Sequence, residues 1–177
     1  LDPNTGAIRA MVGGFEFRKN KLNRVTQAWR QPGPSFKPST YSAALERGFT
    51  PASLINGAPI VLPGGEGTEE WRPQNITKRF YGPTPLREAL VRSRNLVTIR
   101  VMRQIGVGYA RDYVTRFGLP KEHIPADLTA ALGTAQLTPL EIANGFAVFA
   151  NGGSLTRPHI IDRILAADGS VLEATDA

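Results

Sequence analysis

Apolar residues fall into helical periods and short extended runs along this chain, and these mark out its elements. Val97, Val101 and Ile105 lie four residues apart within a stretch from about Leu96 to Ile105, which predicts a helix with one buried face. Ser35 to Arg47 reads as another, with Tyr41, Ala44 and Leu45 toward a core and Gly48 as its stop. Thr84-Pro85 opens a helix running through Leu90, and Tyr109 to Phe117 forms one closed by Gly118. Thr138-Pro139-Leu140-Glu141 has the form of a capping box, in which Thr caps and Glu reaches back. Its helix carries Ile142, Phe146 and Phe149 as a core stripe and ends at Asn151-Gly152-Gly153. Thr50 to Leu54 predicts a short helix.

The other pattern is extended. Asp2-Pro3-Asn4-Thr5-Gly6 is a turn, followed by a strand from Ala7 to Val12 that stops at Gly13-Gly14. Its partner strand is expected at or before Leu1. Ile160 to Leu165 and Val171-Leu172, joined at Asp168-Gly169, read as a hairpin. Residues 56–83 hold many glycines and prolines and form a long connection, a kind of segment that often carries function.

Composition narrows the class. With 177 residues, 41% hydrophobic and 20% charged, the chain has the makeup of about one soluble globular domain. No run approaches the roughly 18 apolar residues of a membrane span, so any anchor is expected outside this chain. It starts at Leu1 without an initiator Met, as a piece of a longer polypeptide would. The net charge of +6 comes from 21 Lys and Arg against 15 Asp and Glu. Its arginines are scattered, which fits solvated helix faces better than a nucleic-acid stripe. The chain has no cysteine, which excludes disulfides and thiolate metal sites and suits an exported, oxidising compartment. His123 and His159 have no second ligand at metal-binding spacing. Trp29 and Trp71 read as packing residues or groove rims. Pro63-Gly64-Gly65-Glu66-Gly67 lacks the Lys-Ser/Thr that would make it a phosphate loop. No cofactor is called for.

Candidate chemistry sits in two places. The first is Gly33-Pro34-Ser35-Phe36-Lys37-Pro38 at a helix start. Residues three apart there share a face, so a lysine amine reaches a hydroxyl three positions earlier and takes its proton. In this chain that earlier position is Pro34, which has no hydroxyl. Ser35, two before Lys37, lies about 200° round a helix rather than about 300°, so it should point away and is a weak substitute nucleophile. The second place is Ser93-Arg94-Asn95, between two predicted helices. The triplet alone is commonplace; its setting after Leu86-Arg87-Glu88-Ala89-Leu90-Val91-Arg92 is what singles it out.

Together these segments resemble the transpeptidase domain of class A penicillin-binding proteins, closest to the bifunctional 1A type. The active-site motifs of that family include Ser-x-x-Lys, Ser-x-Asn and Lys-Thr/Ser-Gly. The resemblance extends to Leu1-Asp2-Pro3-Asn4-Thr5-Gly6-Ala7-Ile8, Met11-Val12-Gly13-Gly14 and Asn23-Arg24. It also takes in Trp71-Arg72-Pro73-Gln74-Asn75, Ala131-Leu132-Gly133 and Phe149-Ala150-Asn151-Gly152-Gly153.

The resemblance implies an α/β (α+β) fold, a helical lobe packed with an antiparallel sheet, incomplete at its C-terminal end. It makes residues 1–177 the N-terminal portion of a transpeptidase domain, with a glycosyltransferase domain and the third motif outside the chain. None of the five lysines is followed by Thr-Gly or Ser-Gly. Lys37 would be the base, Ser93 a proton relay and Asn95 the amide that holds the substrate. The implied reaction is D-Ala-D-Ala transpeptidation or carboxypeptidation on peptidoglycan stem peptides, at the periplasmic face of the inner membrane. A β-lactam would be a ligand if the nucleophile were restored, and other cell-wall synthesis proteins could be partners. With Pro34 in place, this chain should not complete that reaction by the usual route. A non-catalytic scaffold binding peptidoglycan or cell-wall synthesis partners is the rival reading; a basic nucleic-acid module is a weaker one.

Overall fold

Val97, Val101 and Ile105 do form one buried face, on helix α3 (Asn95–Ile105), with Leu96, Ile99 and Met102 also inaccessible to solvent. The computed structural model describes residues 1–64 and 69–175. Gly65, Glu66 and Gly67 of the glycine-rich run lie outside the described residues. The chain divides into two compact units. One comprises residues 31–114 and 121–135, the other residues 1–30, 115–120 and 136–177.

The first unit is mainly helical. A 3-10 turn, Gly33–Phe36, runs directly into α1 (Lys37–Glu46). Strands β1 (Leu54–Asn56) and β2 (Pro83–Pro85) pair antiparallel, with Ile55 opposite Thr84. Then follow α2 (Leu86–Val91), α3 and α4 (Val107–Val114). Helices α1 and α3 pack on each other, and α3 also packs on a 3-10 turn at Leu128–Leu132. Tyr41 Oη meets Thr98 Oγ1 at 3.2 Å across the α1–α3 contact. Arg100 on α3 holds the long connection by donating to the carbonyls of Ala58 and Pro59, at 2.7 and 3.0 Å.

Several expectations change here. Leu45 is 46% exposed, so the buried face of α1 is Lys37, Ser39, Thr40, Tyr41, Ala43 and Ala44. This face is largely polar, which is why apolar spacing drew it poorly. Residues 50–54 form a turn and enter β1 rather than a helix. Thr84 and Pro85 end a strand, and Pro85 caps α2 with extended backbone (ψ 142°). A residue preceding a proline is steered away from helix, which accounts for extended Thr84.

In the second unit the capping box at Thr138 is present: Thr138 Oγ1 accepts from the Glu141 backbone N–H at 3.2 Å, and Glu141 Oε2 accepts from that of Thr138 at 2.7 Å. It opens α5 (Pro139–Ala150), whose buried residues are Asn144, Gly145, Ala147 and Val148. Phe146 and Phe149 are 44% and 46% exposed, so the expected aromatic stripe is not the buried face. The side of the helix that carries Gly145 lies against Phe117 and Leu119 instead. The strand expected at Ala7–Val12 reduces to one bridge, Ala7 to His159, because a strand without a ladder partner has nothing to hold it extended. The hairpin exists as β3 (Arg163–Leu165) paired with β4 (Val171–Ala174), bulged between Ile164 and Leu165.

Candidate active site

Pro32-Gly33-Pro34 makes a tight entry to α1. Gly33 adopts φ +57°, and its N–H donates to the Gly133 carbonyl at 3.0 Å. Gly133 is left-handed too (φ +75°), and a Cβ on it would fall 2.0 Å from the Gly33 carbonyl oxygen. Only glycine permits that backbone approach. The turn that carries position 34 is thereby fixed by a direct main-chain contact.

Lys37 is the first residue of α1 and is only 1% exposed. Its Nζ donates to Ser93 O at 2.9 Å, Ser93 Oγ at 2.9 Å and Asn95 Oδ1 at 2.7 Å. An ammonium has three donors, and all three are used. Every acceptor is uncharged. Burial without a compensating carboxylate pushes the amine pKa down to about 8.

Two features bring Ser93 and Asn95 to that amine. Ser93 sits at φ +51°, left-handed for a non-glycine residue, where α2 ends. Its N–H donates to Leu90 O at 3.0 Å and that of Arg94 to Ala89 O at 2.8 Å. This strained conformation turns both the hydroxyl and the carbonyl of Ser93 onto one amine. Asn95 then opens α3, and its Nδ2 donates to Gln74 O at 3.0 Å. Arg94, between them, stacks its guanidinium 3.4 Å over the Tyr81 ring.

The three residues singled out in the sequence therefore meet. Pro34 lies in the 3-10 turn just before Lys37. Ser35 donates its hydroxyl to Pro32 O at 2.7 Å and is not among the partners of Lys37. Gln74 and Asn75 had no assigned role in the sequence. Asn75 is buried, donates to Arg79 O at 2.9 Å and accepts from Leu96 N–H at 3.4 Å, tying the long connection to the start of α3. A polar Asn in a glycine- and proline-rich stretch gives little sign of burial. Gly133, by contrast, follows Ala131-Leu132 as a stop glycine and could have been flagged. A cavity of about 680 Å³ in the same unit is lined by Leu62, Trp71, Asp127 and Thr129 among others, but not by Lys37, Ser93 or Asn95. Among the described residues no cluster of His, Asp and Glu could hold a metal.

This arrangement can move a proton between an amine and a hydroxyl and can hold an amide or carbonyl with Asn95. Comparison with known proteins points the same way. The family model described as the penicillin binding protein transpeptidase domain matches residues 1–176. Penicillin-binding protein 1A of Pseudomonas aeruginosa is 54% identical over 172 residues, covering 97% of this chain and 21% of that protein. The protein of the same name from Neisseria meningitidis is 49% identical over 170 residues, covering 96% and 21%. The crystal structure of penicillin-binding protein 1A from Haemophilus influenzae superposes with a TM-score of 0.91 at 40% identity, over 99% of this chain and 26% of that one. A Mycobacterium tuberculosis penicillin-binding protein in complex with penicillin V gives 0.85 at 26% identity, over 98% and 48%. The chain spans about a fifth of the length of the curated relatives it matches. Its helices and small antiparallel sheets accord with an incomplete α/β fold of that kind.

Proposed function

The chain belongs to the transpeptidase family of penicillin-binding proteins, of the class A type, and from that premise we propose that it forms the acid–base half of a peptidoglycan D,D-transpeptidase site. The observation that carries this reading is the Lys37 amine held at 2.9 Å from Ser93 Oγ and 2.7 Å from Asn95 Oδ1. In the proposed roles Lys37 is the base, Ser93 relays the proton, and Asn95 receives the peptide bond of a D-Ala-D-Ala stem peptide or the amide of a β-lactam. The acyl-enzyme of such a reaction would form on position 34, and there Pro34 offers no hydroxyl. No acyl group is therefore expected at that position in this chain. The glycosyltransferase domain, the third motif, the membrane anchor and the periplasmic location belong to the same proposal. A second reading, a non-catalytic scaffold for peptidoglycan or cell-wall synthesis partners, is favoured by the same proline.

The test is Pro34→Ser in the full-length polypeptide, exposed to a fluorescent penicillin. The repaired protein should gain an adduct at position 34, faster by on the order of 10³ or more than any labelling of the unrepaired protein. A folded Pro34→Ser protein that stays unlabelled would overturn the transpeptidase roles of Lys37, Ser93 and Asn95.

A further inference from the structure

Position 34 carries no hydroxyl, yet Lys37 has one against it. Ser93 Oγ lies 2.9 Å from Nζ, the separation of a serine from its general base. A neutral amine has two N–H donors and one lone pair. The carbonyls of Ser93 and of the Asn95 amide, at 2.9 and 2.7 Å, take the two donors. The lone pair then faces the one partner able to donate, the Ser93 hydroxyl. Loss of a single proton turns the buried cation into a base aimed at Ser93, with no heavy atom moving.

We propose that Ser93 is the acyl-accepting nucleophile of this chain as it stands, with Lys37 as its base, toward activated acyl donors such as strained lactams and thioesters. The proposal rests on the transpeptidase reading above. Three further observations favour it. Ser93 is half-buried rather than sealed, and its φ of +51° puts it at a strained turn of the kind that stores energy at reactive positions. The Ser35 hydroxyl is engaged by Pro32 O. The groups facing the amine from the α2–α3 turn are uncharged; of the two arginines in that turn, Arg94 is stacked on Tyr81 and Arg92 is exposed. Burial, with no carboxylate to oppose it, holds Lys37 low enough (about 8) for neutral amine to be present near neutral pH.

In the reaction Ser93 Oγ bonds to the acyl carbon while its proton passes to Lys37 Nζ. The bond from that carbon to the lactam nitrogen or thioester sulfur breaks, and the leaving atom takes the proton from Nζ. Water completes turnover by the same path in reverse order, releasing the acid and restoring the Ser93 hydroxyl.

The full-length protein with Pro34 intact is incubated with fluorescent penicillin over hours and peptide-mapped by mass spectrometry. One adduct on Ser93 is expected, forming on the order of 10³ more slowly than at position 34 of the Pro34→Ser protein. Its rate should rise with pH through a midpoint of about 8. Ser93→Ala and Lys37→Met should each abolish it, with melting curves confirming folded protein, and Ser35→Ala should leave it unchanged. An adduct that survives Ser93→Ala overturns the proposal. So does no adduct when Pro34→Ser labels normally at position 34, an outcome that leaves the transpeptidase reading standing. If both proteins are folded and unlabelled, that reading falls and the Ser93 proposal with it.

Discussion

Helix α3 and the β3–β4 hairpin are both rich in aliphatic residues, but their fates differ. Leu96, Val97, Ile99 and Val101 are 0% exposed, whereas Val171 and Leu172 are 57% and 67% exposed. Side-chain type does not decide this. Helix α3 has α1 and the Leu128–Leu132 turn packed against it, so its apolar stripe has somewhere to go. Among the described residues the two hairpin strands pair only with each other. The candidate chemistry is attached to the packed region: Lys37 opens α1 and Asn95 opens α3. A site that must hold an amine to within a few tenths of an ångström belongs on elements whose own positions are fixed by packing.

That contrast can be broken from its strong side first. Ile99→Ala should destabilise by about 2–5 kcal/mol, as buried large-to-small changes do, read by urea unfolding. Gly133→Ala should come next, on the order of 1–3 kcal/mol, because a left-handed alanine would also drive its Cβ into the Gly33 carbonyl. It should further displace the position-34 turn, so that a Pro34→Ser/Gly133→Ala protein labels more slowly than Pro34→Ser alone.

Lys37 sharpens the comparison differently, as a polar group inside the packed region. Its folded pKa of about 8 lies below the ordinary value of 10.5, so between those values the unfolded chain binds more protons. Stability should therefore rise as pH increases from about 8 toward 10.5, and burying the cation should cost most below that window. Lys37→Met should remove this dependence and raise the melting temperature at pH 7, while abolishing acylation of the Pro34→Ser protein. Thermal unfolding as a function of pH checks both halves. Thr138→Ala should cost about 1 kcal/mol through the lost cap of α5. On the weak side, Leu172→Ala in the hairpin should stay within about 0.5 kcal/mol. A loss comparable to that of Ile99→Ala would show the hairpin to be covered in solution.

The grouping of the candidate residues was more legible in the sequence than the packing around them. Lys37, Ser93 and Asn95 were singled out by resemblance to family motifs, and the structure does bring their side chains within hydrogen-bond reach. Helix α3 was found because its apolar period is unbroken. Leu45 and Phe149 were misplaced toward the core, since periodicity gives a face but not which neighbour fills it. The Gly33–Gly133 contact joins positions a hundred residues apart through main-chain atoms, which leave no side-chain pattern to read. Residues 7–12 read as a strand between a turn and Gly13-Gly14, but a ladder depends on a partner that local sequence does not describe.

Asn95 is occupied at both ends, its oxygen by Lys37 and its nitrogen by the Gln74 carbonyl. In the proposed reading an incoming carbonyl would be received by the second N–H of that nitrogen, with the Gln74 contact kept. The same amide would then join the ligand to the connection twenty-one positions back, where Gln74 adjoins the buried Asn75. On that reading one side chain would tie amine, loop and substrate together at a single point.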